Sequence, residues 1–265
     1  MKYKIGIPIV IIILAVAGFG GWYFMQQQPA TPAKTSSQKS AVSKDAAQST
    51  SSSGAQFTLP VIKSGTEAAK LLMVVNKRHP LPADYNPYNG ASTGKNPDGA
   101  GLLPAAQQAK DAIIKAMQAA GFAVSDNISG YRSYAYQKSL YDGYVASNGQ
   151  AWADKYSARP GYSEHQSGLA FDLVGADGEL PTDDKMYAWL LQHAHTYGLI
   201  IRYPRNMASV TGYEGEEWHL RYIGVKFATE MYDHKITTLE QFTGMAGGDY
   251  NADPKNDVPA LEEYK

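Results

Sequence analysis

The chain has 265 residues, a formal charge of −1 and 44% hydrophobic residues, which suits one core of moderate size with appendages. That near-neutral balance lacks the basic footprint nucleic-acid binding requires. No cysteine occurs, which excludes disulfides, thiolate metal sites and cysteine nucleophiles, so any metal must be held by His, Asp or Glu.

In chain order, Lys2 and Lys4 precede an uncharged apolar run from Ile5 to about Met25, with Trp22 and Tyr23 at its outer edge. Its length matches the ~20 residues that span a bilayer, and the lysines favour an inside amino end. Residues 1–25 are therefore expected to be a membrane anchor. Ala15-Val16-Ala17 leaves a cleaved signal segment as the alternative. Either reading delivers the rest of the chain outside the cytoplasm, and no cysteine follows the run to carry a lipoprotein anchor. Residues 26–56 are rich in Gln, Ser, Ala, Thr, Pro and Lys without hydrophobic periodicity. Such a segment cannot repay its ordering entropy and reads as a flexible stalk. A folded domain is expected over 57–246 and a loose tail over 247–265.

Within the domain, LLMVVNKRHPLPADYNP reads as a short apolar strand followed by a Pro-punctuated segment. PAAQQAKDAIIKAMQAAGF carries Ile113, Ile114 and Met117 at helical spacing and closes on Gly121, the signature of an amphipathic helix. AYQKSLYDGYVASNGQAWADKYS reads as one or two helices. DDKMYAWLLQHAHTYGLI is another, with Asp183 and Asp184 in the first turn and Gly198 at the stop. FAVSDNISGYRS, GLAFDLVG, GLIIRYP and EEWHLRYIG read as strands. Without regular alternation of strand and helix, the pattern predicts an α+β domain with helices packed on a small, largely antiparallel sheet.

SEHQSGLAFDL places His165 and Asp172 in an otherwise apolar run, although both are costly to bury without partners. If 169–174 is a strand, Leu169, Phe171 and Leu173 share one face, and Ala170, Asp172 and Val174 the other. In EEWHLRYIG, His219 lies opposite Trp218 and Leu220, with Glu216 and Glu217 just upstream. Two histidines, an aspartate and a nearby glutamate make the inventory of a catalytic zinc site: three protein ligands, an open position for water, and a base. Strand alternation does not choose between the two glutamates, and slightly favours Glu217, two residues from His219. The other four histidines, His79, His193, His195 and His234, are read as structural.

SEHQSGLAFDL fits an S-x-H-x-x-G-x-A-x-D pattern and EEWH fits E-x-W-H. With NKRHPLPADY, SGYRSYAYQKSLY, SARPGYSEHQSG and GLIIRYP in the same order, the chain from about Leu71 to Gly224 resembles the VanY-type zinc-dependent D-alanyl-D-alanine carboxypeptidases, which trim peptidoglycan stem peptides. The resemblance implies a Hedgehog/DD-peptidase-like fold, with His165, Asp172 and His219 as Zn2+ ligands and Glu216 as catalytic base. It also places Tyr203 beside the reacting carbonyl, and Arg132, Gln137 and Ser163 around the substrate. The chemistry asks for these residue types: a tyrosine hydroxyl can stabilise an oxyanion, and an arginine fork suits a terminal carboxylate. Gly168 and Ala170 are expected to be small so that backbone and metal can approach. The expected partners are the stem peptide and, through the N-terminal segment, the membrane, with an extracytoplasmic location. The sequence is silent on oligomeric state.

Both D,D-cleavage of the pentapeptide and L,D-cleavage of the tetrapeptide suit this machinery. The anchor, Ser-rich stalk and single catalytic domain resemble L,D-carboxypeptidases of Gram-positive cocci, which tips the expectation to L,D. A serine-dependent alternative has S-x-x-K at Ser36-Ser37-Gln38-Lys39 and S-D-N at Ser125-Asp126-Asn127. The first lies in the expected stalk and K-T-G is absent, so both read as coincidences. The other alternative, a non-catalytic wall-binding module of the same fold, fits poorly with a full set of ligands and base.

Overall fold

Three stretches rich in β-branched, aromatic and leucine side chains, with a more polar edge stretch, form the strands that carry the site. They are β1 (Val124–Ser129), β2 (Ala170–Gly175), β3 (Leu199–Tyr203) and β4 (Glu216–Tyr222). In this computed structural model, which describes residues 57–60, 62–63, 65–88, 98–99 and 101–260, they make one antiparallel sheet in the order β1-β2-β4-β3. The expected anchor (1–25) and stalk (26–56) lie outside the described residues. Among the described residues no helix is long and apolar enough to cross a membrane.

The helices are α1 (Glu67–Leu71), α2 (Pro104–Ala119), α3 (Tyr134–Asn148), α4 (Gln150–Tyr156), α5 (Asp184–His193), α6 (Ala208–Thr211), α7 (Val225–Asp233) and α8 (Leu239–Thr243). Pro104 opens α2 where its missing N–H costs nothing, and Asp183 caps α5 by accepting from Met186 N. AYQKSLYDGYVASNGQAWADKYS forms two helices, because Gly149 adopts φ +84° between α3 and α4.

The sheet's two faces differ, as the period-two reading predicts. Phe171, Leu173, Leu199, Ile201 and Leu220 pack against Ile113 and Met117 of α2 and Met186 and Leu190 of α5. Around Ile200 a second core gathers Leu72, Val74, Ile223, Met231 of α7 and Phe242 of α8. Burying one such side chain contributes roughly 1.5–3 kcal/mol, and this fixes the sheet that aims the polar residues.

Two expectations need correction. Residues 73–75 after α1 join no strand, although Val75 is fully buried. The carbonyls of Leu71 and Met73 instead accept from Arg221 Nη2 at 3.0 and 2.9 Å, so a side chain supplies the donor that a ladder would have given. Residues 248–260, expected to be loose, are packed on the domain. Tyr162 Oη donates to Asp257 at 2.5 Å, Val258 N to Arg78 O at 3.2 Å and Ala260 N to Pro80 O at 2.9 Å, and Ala260 is fully buried. Polar and backbone bonds anchor this segment, which hydrophobic patterning does not register.

Candidate metal centre and active site

Strand pairing assembles the first two groups. Asp172 of β2 lies directly across from His219 of β4 on one side and from Ser129 of β1 on the other. His165 comes from a 3-10 turn, Glu164–Ser167, that ends on Gly168 in the left-handed conformation, φ +70°. A Cβ there would sit 3.2 Å from Pro87 and 3.3 Å from Leu103 and the Tyr88 hydroxyl. The left-handed turn and this packing already require glycine at 168. The result is one buried cluster: His165, Asp172 and His219 each offer a ligand atom, and these atoms lie within 4.8 Å of one another.

The two imidazoles turn different nitrogens inward. His165 Nδ1 lies 2.7 Å from the Gly130 carbonyl, to which it donates, so Nε2 faces Asp172 Oδ2 at 3.4 Å. His219 presents Nδ1, 3.1 Å from Asp172 Oδ1 and 3.3 Å from Glu216 Oε2. Burial, helped by Arg132, pushes His165 down to about 4, against the pull of Asp172, so it is neutral and fit to ligate. Burial acts the same way on His219 but is outweighed by Asp172, Glu164 and Glu216, which raise it well above the usual range. For Asp172, burial is outweighed by His165, His219 and Arg132, which keep the carboxylate ionised. Three acidic groups concentrated on one imidazole describe a place that favours a cation. Asp172 Oδ1 is buried without a hydrogen-bond partner of its own, which suits a metal-ligating oxygen. An N,O,N set with no sulfur suits zinc, and the residues fit it.

Glu216, not Glu217, joins the cluster. Between Ile201 and Tyr203 the β3–β4 register shifts, so that Tyr203 pairs with Glu216 and simple alternation fails there. Glu217 is buried elsewhere and accepts from Arg205, which also holds Asp184 at 2.7 Å. Burial raises the Glu216 carboxyl above its ordinary value despite the opposing pull of His219.

The family model described as VanY, D-alanyl-D-alanine carboxypeptidase, matches residues 100–225. A D-alanyl-D-alanine carboxypeptidase of Enterococcus faecalis is 33% identical over 195 residues, covering 68% of this chain and 68% of the relative. The chain belongs to the D-alanyl-D-alanine carboxypeptidase family. Among solved structures, the L,D-carboxypeptidase DacB of Streptococcus pneumoniae is 49% identical, with 67% of this chain and 89% of that one covered and a TM-score of 0.60. A variant of the vancomycin-resistance D,D-pentapeptidase VanY in complex with Zn(II) is 31% identical over 65% of this chain and 98% of that one, with a TM-score of 0.53.

In this metallo-carboxypeptidase Arg132 reaches the cluster directly. Its Nη2 donates to Asp172 Oδ2 at 2.7 Å and to Ser129 Oγ at 2.8 Å, and its Nη1 to Gln137 Oε1 at 3.3 Å. Gln137 is buried and donates to Ala158 O at 2.8 Å, so its oxygen is turned toward Arg132. Ser163 is buried just before the His165 turn, and the buried Tyr203 ring lies 4.8 Å from the His219 ring. Burial, reinforced by Glu164, holds the Tyr203 hydroxyl protonated well above its usual range. The other four histidines stand apart: the ring nitrogens of His79 lie 3.1 and 2.9 Å from carbonyl oxygens, His193 packs on Trp189, His195 stacks on Tyr232 and His234 meets Phe57. Ser125, Asp126 and Asn127 lie in the edge strand β1.

Sequence reasoning missed the charges behind the cluster. Glu164 Oε1 accepts from Arg202 Nε and Arg221 Nη1, both at 2.7 Å, and Arg202 also grips Glu240 at 2.6 and 2.9 Å. Both arginines are fully buried. The signal was an arginine in each of the apolar runs GLIIRYP and HLRYIG, since a guanidinium in a buried strand needs a carboxylate near it.

Proposed function

We propose that the protein is a zinc carboxypeptidase that releases the C-terminal D-alanine of peptidoglycan stem peptides, with L,D-cleavage of the tetrapeptide favoured over D,D-cleavage of the pentapeptide. The observation that carries the reading is the convergence of Glu216 and Arg132 on the buried His165–Asp172–His219 cluster. The L,D preference is supported by 49% identity to an L,D-carboxypeptidase against 31% to a D,D-pentapeptidase.

His165, Asp172 and His219 would hold the zinc, which when bound would supply Lewis-acid polarisation and acidify a water toward a pKa of ~7. Glu216, its proton affinity raised by burial, is placed to accept a proton and return it to the leaving amine. Tyr203 keeps its proton and can donate to an oxyanion formed beside His219. Arg132, aimed by Ser129 and Gln137, retains further N–H donors for a terminal carboxylate, which would select substrates with a free C-terminus. The N-terminal apolar run supports an extracytoplasmic enzyme tethered to the membrane, where this substrate lies.

Incubation with tetrapeptide and pentapeptide muropeptides, followed by mass analysis, tests the assignment. Loss of one D-alanine from the tetrapeptide at the higher kcat/KM is expected. Preferential trimming of the pentapeptide would reassign the enzyme as D,D, and trimming of neither would remove the peptidase reading.

A further inference from the structure

The geometry points to Glu164 as a positioning residue that fixes which nitrogen of His219 faces the metal, a role that rests on the zinc site proposed above. Glu164 is fully buried, immediately before His165, and its two oxygens have different surroundings. Oε1 accepts from both Arg202 and Arg221 at 2.7 Å. Oε2 has no hydrogen-bond partner and lies 3.7 Å from Nε2 of His219, which is also buried and has none. Two buried atoms of complementary chemistry, facing each other and with no other hydrogen-bond partner, identify a contact that the fold maintains for that ring.

The consequence follows from imidazole tautomerism. In a neutral imidazole one nitrogen carries the proton and the other a lone pair, and the acceptor behind the ring decides which. A carboxylate at Nε2 keeps the proton there and directs the Nδ1 lone pair at Asp172, Glu216 and the metal position. His165 achieves the opposite choice with a neutral acceptor, the Gly130 carbonyl at Nδ1. The two histidines therefore differ in what stands behind them, a carbonyl for one and a charge for the other. Glu164 itself cannot swing away, because two guanidiniums hold it and Arg202 is in turn held by Glu240, which accepts from Asn76 at 2.9 Å. The buried charges serve ligand orientation as well as packing.

The test uses the full-length protein, zinc alone as probe, and chelator competition for affinity. Glu164→Gln keeps the volume but offers His219 a neutral acceptor or an amide donor. A folded Glu164→Gln protein should bind zinc ~10–100-fold more weakly than wild type. Unchanged affinity in that folded variant would overturn the role. Long-range 15N–1H NMR of zinc-loaded wild type supplies a readout that does not depend on the variant folding. A proton on Nε2 of His219 with Nδ1 on the metal is expected, and the reverse would overturn the inference. If wild type itself bound no zinc, the proposed function would fail first, and the two failures are thereby distinguishable.

Discussion

The side chains that make the site divide into those that must meet a metal and those that must meet a proton. In the proposed mechanism Glu216 belongs to the second group, so Glu216→Ala is expected to retain zinc, measured by elemental analysis, while kcat falls by ~10²–10⁴-fold. Glu217→Ala, which removes a carboxylate held by Arg205, should alter kcat little and stability more. Equal losses in the two variants would contradict the division. Arg132→Ala should raise KM for peptides with a free carboxylate and leave amidated peptides nearly unaffected, which a paired kinetic comparison reads directly. At this scale the buried cluster was legible because His165, Asp172 and His219 are polar residues in, or in a turn just before, apolar strands. Alternation on β4 slightly favoured Glu217, whereas Glu216 is the glutamate that lies 3.3 Å from His219, beyond a register irregularity between Ile201 and Tyr203. Glu164 was invisible for a different reason: its partners Arg202 and Arg221 are 38 and 57 residues away in sequence, and only the sheet brings them together.

Elements position these groups, and their failure should be separable from failure of the chemistry. Gly168→Ala forces a Cβ into a left-handed turn already in contact with Pro87 and Leu103, and a loss of ~1–3 kcal/mol is expected in denaturant melts. A variant as stable as wild type would show that the His165 turn is not so constrained. Helix α4 is tied to the segment after it by Asp154, whose carboxylate takes Arg159 Nε and Nη2, both at 2.8 Å. Burial would raise that aspartate, but the bonds from Arg159 and Tyr141 prevail and lower it below 3.8. The contribution is therefore complete above the ordinary value of 3.8 and is lost as pH falls through the lower folded one. The stability gap between wild type and Asp154→Asn should narrow on going from about pH 5 toward 2, and a gap that widened would reverse the sign. All four strands, and the helices α2 to α5, were legible from period and caps, whereas α7 and α8 were not predicted. The segment after α1 and the C-terminal stretch were not legible, since one is satisfied by an arginine side chain and the other by scattered polar bonds.

For the whole molecule, the predicted α+β architecture was readable because helices and strands fell without regular alternation, and a four-stranded antiparallel sheet bears it out. The two packed faces explain how a small sheet supports a charged site: one face is filled by apolar side chains, while the other holds Asp172, His219, Arg202 and Arg221 beside a second apolar core around Ile200. Because ligand binds the folded state, zinc at 100 times its Kd should add roughly 2.7 kcal/mol of stability, seen as a raised Tm that chelator reverses. The most direct measurement is D-alanine release from tetrapeptide muropeptide by chelator-stripped protein during a zinc titration. Activity should be absent without metal and reach its plateau at one zinc per chain. Full release in excess chelator, or bound zinc with no release from tetrapeptide or pentapeptide, would contradict the account.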